Sequence, residues 1–133
     1  MHEKSQAINI KVLGHDHVDV AKSYNSIANV YQAQGKYVEA LELYEKSKTV
    51  NIKALGDDHV DVAKSYNNIA LIYSKQGKYV EALEVYEKSK AIEINVLGHD
   101  HVDVIRTCNS IAAVYELQGL HEKARIARRD LPA

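Results

Sequence analysis

Residues 11–52 read KVLGHDHVDVAKSYNSIANVYQAQGKYVEALELYEKSKTVNI, and residues 53–94 repeat that text with changes at 11 of 42 positions. The tripeptide VLG or ALG ends at Gly14, Gly56 and Gly98, so the period is 42 residues throughout. A third copy, from residue 95, keeps VLGHDHVDV and NSIAAVYELQG before it diverges. The opening segment EKSQAINIKVLG (3–14) matches EKSKTVNIKALG (45–56) at the same offset, so the sequence starts about two thirds of the way through a unit. A fixed period of this length marks an architecture of stacked repeats.

Each unit reads as two helices. The first is predicted near Val18–Gln34, where Ala21, Tyr24, Ala28 and Tyr31 recur at helical spacing. Gly35 supplies its stop signal. The second is predicted from near Tyr37 to about Leu55, with Tyr37, Ala40, Leu41 and Tyr44 as its inward stripe and Gly56 at its end. Glu42 with Lys46 and Glu84 with Lys88 are i,i+4 pairs on a solvated outer face, each contributing roughly 0.3 kcal/mol. No segment alternates with the period of a strand. The predicted architecture is an all-α solenoid of antiparallel helix pairs.

The order Tyr24…Ile27-Ala28…Tyr31…Gly35…Ala40…Tyr44 resembles the tetratricopeptide repeat (TPR) pattern, stretched here to a 42-residue period. The text is similar to the repeats of kinesin light chain and related 42-residue arrays, and the resemblance covers residues 2–124. It implies a TPR α-solenoid of about five helices in a right-handed superhelix. One departure recurs: the resemblance leads one to expect proline after the histidine, where Val18, Val60 and Val102 stand. Each of those helices loses a rigid first residue, a modest weakening. The units divide as a partial repeat over 1–13 (second helix only), repeats over 17–55 and 59–97, and a repeat over 101–131 with a divergent C-terminal capping helix.

Composition narrows the function classes. The 133 residues carry a net charge of −1 with basic and acidic groups mixed along the chain, unlike the one-sided basic excess of a nucleic-acid binder. No apolar run approaches the roughly 18 residues needed to span a bilayer, and no signal-peptide core opens the chain. The single cysteine, Cys108, leaves no internal disulfide and suits a reducing, cytoplasmic compartment. Phe and Trp are absent, so the nine tyrosines supply the aromatic packing.

In the TPR architecture the first helix of each pair lines the concave side. With Ala21, Tyr24, Ala28 and Tyr31 facing the core, the adjacent stripe is Lys22, Asn25, Asn29 and Gln32. Its counterparts are Lys64, Asn67, Leu71 and Ser74, then Arg106, Asn109, Ala113 and Glu116. A cation is followed one turn later by an asparagine in all three units. Asparagine is a modest helix former, so its return in mid-helix calls for a reason. Its amide can satisfy the backbone of an extended peptide, and the cation suits an acidic side chain or a terminal carboxylate. The expected peptide-binding residues are Lys22, Asn25, Asn29, Lys64, Asn67, Leu71, Arg106 and Asn109. Two alternatives stand beside this: the asparagines bond to neighbouring repeats, or their recurrence reports duplication alone.

Histidines His15, His17, His99 and His101 bracket Asp16 and Asp100 just before the first helices. A closed zinc site wants four ligands, and the middle copy replaces one histidine with Asp57. The stronger reading is a helix cap, with Asp19 in the first turn complementing the dipole. Cys108 takes the core position of Tyr24 and Tyr66 without an activating base nearby, which fits a small hydrophobe. No phosphate loop, nucleophile elbow or spaced carboxylate pair appears. Neither enzyme activity nor a cofactor is expected.

At the end of the chain Arg125 replaces Leu41 and Leu83, and Arg128 replaces Tyr44 and Tyr86, as suits a polar capping helix. ARRDLPA is therefore expected at or near a natural C-terminus. Ile8, Ile10, Val12 and Leu13 sit on an orphan second helix whose open edge favours dimerisation or domain swapping. The leading expectation is a non-enzymatic scaffold that holds an acidic or C-terminal peptide of a partner protein, with no nucleic-acid or membrane partner. The alternatives are a self-assembling array and, more weakly, a metal-responsive module of the His/Asp loops.

Overall fold

The computed structural model describes residues 18–129, and every regular element among them is an α-helix. In chain order these are α1 (Val18–Ala33), α2 (Tyr37–Leu55), α3 (Val60–Lys75), α4 (Tyr79–Leu97), α5 (Val102–Leu117) and α6 (His121–Arg129). They form the helix pairs of an α-solenoid, six helices among the described residues, in line with the expectation of about five. The chain divides into two compact units, residues 1–57 and 58–133. The partial repeat expected over 1–13, with Ile8, Ile10, Val12 and Leu13, lies outside the described residues. None of the described helices is long and apolar enough to cross a membrane.

Two turn chemistries alternate. Within a pair, Gly35, Gly77 and Gly119 adopt φ of +77, +78 and +76°, a left-handed conformation that costs glycine nothing. The chain reversal then closes two bonds around each glycine. In unit two the Lys78 N–H donates to the Tyr73 carbonyl at 2.8 Å and the Gly77 N–H to Ser74 at 3.0 Å. This is the Schellman pattern, and it satisfies carbonyls the helix end would leave open. Lys36 and Lys78, one residue past their glycines, also bring their ammonium groups to 5.9 and 6.0 Å from the Tyr31 and Tyr73 rings.

Helix starts use histidine. His59 Nδ1 accepts the Asp61 N–H at 3.0 Å and His101 Nδ1 accepts the Asp103 N–H at 3.1 Å, so each ring caps its helix. Asp61 and Asp103 sit in the first turn, where their charge complements the helix dipole.

In unit one, α1 and α2 pack through small residues. Ala21, Ala28 and Ala40 are fully buried, which lets the two backbones approach, and the Tyr44 ring fills the space beyond them. The buried Ser47 hydroxyl donates to the Ala21 carbonyl at 3.0 Å and pins one helix against the other. In unit two, α4 packs on both α3 and α5, and α6 packs on α5. Ala70, Ala82, Tyr86, Ile111 and Val114 form a core there, with Val62, Ile69 and Val104 also buried. Ser89 repeats the serine pin, donating to the Ala63 carbonyl at 3.0 Å. On α6 only Ala124 is fully buried among the described side chains. Arg125 pairs with Glu122 and Arg128 Nη1 lies 3.8 Å from Glu116, so both arginines stay at the surface.

Candidate functional site

The helical spacing that buries Ala21 and Ala28 on α1 necessarily turns the next stripe outward. Lys22 and Asn29 are exposed and Asn25 is half-buried. In unit two, Lys64 and Leu71 on α3 and Arg106 and Asn109 on α5 are exposed, while Asn67 is half-buried. The Arg106 guanidinium reaches Asp103 Oδ1 at 3.7 Å, but almost three quarters of its side chain faces water. Exposed cations thus stand one turn before an amide on all three first helices. Such a surface offers charge and hydrogen-bond donors to an anionic, extended chain.

The amides do not all look outward. Asn29 Oδ1 and Gln32 Oε1 both accept the buried Tyr44 hydroxyl, the latter at 3.0 Å. Asn67 turns its Nδ2 inward, to Glu93 Oε2 and Thr107 Oγ1, both at 3.4 Å. The side-chain oxygens of Asn25 and Asn67 are buried without a hydrogen-bond partner. Asn109, by contrast, is exposed. One recurrent residue type therefore occupies two environments, and Asn67 ties α3 to α4 and α5 inside unit two.

Glu93 is the functional-looking residue the sequence reading passed over. It is 2% exposed on α4, in a row with buried Ala82, Tyr86 and Ser89. Thr107 donates to its Oε1 at 2.6 Å. Burial pushes the carboxyl above the ordinary glutamate value; the Thr107 and Asn67 hydrogen bonds pull the other way, Asp103 adds to the rise and His101 opposes it. The signal was present in the repeat alignment, because Glu93 stands where the first copy has Asn51, on the inward stripe of the second helix.

The histidine candidates separate in the same manner. His15 and His17 lie outside the described residues. His101 spends its Nδ1 lone pair on the cap, which puts the proton of the neutral ring on Nε2. His99 is exposed, with Nδ1 3.5 Å from Asp100 Oδ1. Among the described residues no group of three or more His, Cys, Asp or Glu side chains is arranged to hold a metal ion. Cys108 is in no disulfide and lies 1% exposed, at the core position expected for it.

The sequence profile described as tetratricopeptide repeat matches three overlapping stretches, residues 1–48, 19–92 and 61–127. Among curated proteins, none matches the chain. Among solved structures, BtubC (BKLC) from P. vanneervenii superposes with a TM-score of 0.84 at 23% identity, over 97% of this chain and 53% of that one. A kinesin light chain with nearly identical TPR-like repeats, from Podosopora anserina, gives 0.79 at 28% identity, over 95% of this chain and 60% of that one. MamA protein gives 0.64 at 23% identity, over 83% of this chain and 51% of that one. The chain spans between half and three fifths of the length of these structures.

Proposed function

From the premise that this chain belongs to the tetratricopeptide repeat family, with repeats of the kinesin-light-chain-like type, we propose that it is a non-enzymatic scaffold for protein–protein interaction. Its ligand is a peptide segment of a partner, acidic or carrying a free C-terminal carboxylate, held on the outward stripe of the first helices. In unit two the stripe is Lys64, Leu71, Arg106 and Asn109, with half-buried Asn67 at its inner edge; in unit one it is Lys22 and Asn29, with half-buried Asn25 at its inner edge. We assign the repeat units to 17–55, 59–97 and 101–131 and place the scaffold in the cytoplasm.

The observation that carries this reading is the exposed cation followed by an amide, returned on each first helix at the same two positions. Exposed cations contribute little to stability, about 0–1 kcal/mol each even when paired. Selection for folding alone gives them weak support, whereas an anionic ligand uses each of them.

The experiment is a peptide-array screen with acidic and C-terminal peptides, repeated with the triple variant Lys64→Ala, Arg106→Ala, Asn109→Ala. All three side chains are exposed, so the variant folds as the parent does and is expected to lose captured peptides by at least about tenfold in affinity. Unchanged capture by the folded variant sinks the assignment. Asn67 is left intact in that variant because its side chain also holds Glu93.

A further inference from the structure

Glu93 is the one acid among the described residues that lies almost wholly out of reach of water. Its two oxygens are held from two different helices. Thr107 on α5, 1% exposed, donates to Oε1 at 2.6 Å, and Asn67 on α3 donates to Oε2 at 3.4 Å. The Asn67 amide also reaches the Thr107 hydroxyl at 3.4 Å, which closes a ring of three side chains across α3, α4 and α5. In the preceding repeat Asn51, which takes no charge, has the place of Glu93.

Asn67 belongs at the same time to the inner edge of the stripe, one turn after exposed Lys64. Its pose is a compromise. The two bonds from its nitrogen turn both hydrogens inward, and both bonds are long. The amide oxygen meanwhile is buried with no hydrogen-bond partner, a situation that costs free energy. A charge on Glu93 offsets that cost, because a bond to a carboxylate is roughly twice as strong as one to a neutral group. A neutral Glu93 loses the advantage and frees the amide for a ligand. Asn109, at the same repeat position, is exposed already.

We propose that Glu93 is a proton-linked regulator of the peptide stripe: its carboxylate draws Asn67 inward, and uptake of a proton releases that amide to bind the backbone of a ligand. This rests on the stripe being the ligand site. Linkage makes the effect reciprocal, so a bound peptide strengthens the hold of Glu93 on its proton. Burial, the largest influence on that proton, favours the neutral form, and the Thr107 and Asn67 bonds favour the ionised one. At the start of α5, Asp103 favours the neutral form and His101 the ionised one. From α3 the uncharged Asn67 amide meets the carboxyl, and on α4 itself Lys90 comes one turn before it.

The test is a calorimetric titration of acetyl-hexaaspartate, an acidic probe with a free C-terminal carboxylate, into the 133-residue chain from about pH 5.5 to about pH 8. The parent is expected to lose at least about fivefold in affinity over that range relative to Glu93→Gln, which stays neutral and keeps the tight form. The histidines titrate alike in both chains, so their share cancels. Asn67→Ala is expected to flatten the profile at the weak level, since the shared donor is gone. Thr107→Val removes a donor to the ionised form and is expected to move the parent's midpoint to higher pH. His101→Asn keeps a capping acceptor without a titrating ring and is expected to retain the fall. Parallel profiles of parent and Glu93→Gln overturn the proposal, as does a fall that survives in Asn67→Ala or vanishes in His101→Asn. Should Glu93→Gln not fold, an unmoved midpoint in Thr107→Val overturns it as well. The stripe is judged apart. Binding abolished by Lys64→Ala, Arg106→Ala, Asn109→Ala, together with parallel pH profiles, removes the proton link and leaves the stripe; a probe bound at no pH removes both.

Discussion

Thr107 on α5 donates its hydroxyl to the Glu93 carboxyl on α4 across 2.6 Å, with both side chains almost fully shielded from water. Asn67 on α3 reaches the second oxygen of the same carboxyl at 3.4 Å, and the Thr107 hydroxyl at the same distance. Three helices of unit two thus meet at one buried acid. A buried carboxylate is costly unless hydrogen-bonded, and the neutral form is the one burial favours.

That preference gives a pH dependence with a definite sign. Burial raises the folded carboxyl above the usual value, so the folded chain holds the proton more tightly than the unfolded chain. The stabilising contribution of this group is complete below the unfolded value and is lost as pH rises through the folded one. Glu93→Gln is expected to flatten this slope and to stabilise the chain at pH 7 by roughly 1–3 kcal/mol, the scale on which a buried polar group is penalised. Thermal melts of parent and variant between pH 4 and 8 check it; parallel pH profiles would show that Glu93 carries no such effect.

Asn67→Ala and Asn109→Ala occupy the same repeat position and should behave differently. The first removes a donor from Glu93 and is expected to cost about 1–2 kcal/mol in urea unfolding. The second removes an exposed amide from mid-helix and is expected to be neutral or stabilising by about 0.5 kcal/mol. Equal losses for the two variants would contradict the inward role of Asn67.

Gly77→Ala is expected to destabilise by about 1 kcal/mol through backbone strain alone. An added Cβ meets nothing within 4 Å, so no steric clash enters, but φ is +78°. Gly77→Asn is expected to lose less, since asparagine tolerates that region better. Unfolding midpoints of the two variants compared with the parent decide the order.

His101→Ala removes the acceptor for the Asp103 N–H and is expected to cost about 1 kcal/mol, with His101→Asn recovering most of it. Guanidinium titrations of both variants measure the difference. An alanine variant as stable as the parent would mean that water replaces the cap at no cost.

Much of the architecture was legible because it depends on short-range rules. The 42-residue period, the glycines at helix ends and the 3.6-residue spacing of Ala21, Tyr24, Ala28 and Tyr31 located α1 to within a residue of its C-terminus and gave the bounds of α2 as observed. Which face of each first helix lies outward was legible too, since a helix that buries Ala21 and Ala28 must expose Lys22 and Asn29. The role of His101 was legible in kind as a cap, because capping acts over two residues.

The amide row was harder to read. Asn67 and Asn109 are the same letter at the same repeat position, and only the neighbours brought by folding distinguish them. Glu93 comes 26 residues after Asn67, and Thr107 comes 40 after it. Pairings over such distances are set by helix packing, which no local pattern encodes.

Period, helix bounds, turn chemistry and the exposure of Lys22, Lys64 and Arg106 followed from the amino-acid sequence by itself, because backbone propensity and side-chain periodicity act within a few residues. Tertiary structure alone decided that Asn67 faces a buried acid while Asn109 faces water, and that Glu93 meets Thr107 out of reach of solvent. Burial, and with it the cost of a charge or of missing volume, is a property of the packed neighbours on α3, α4, α5 and α6, and exists only once the helices have come together.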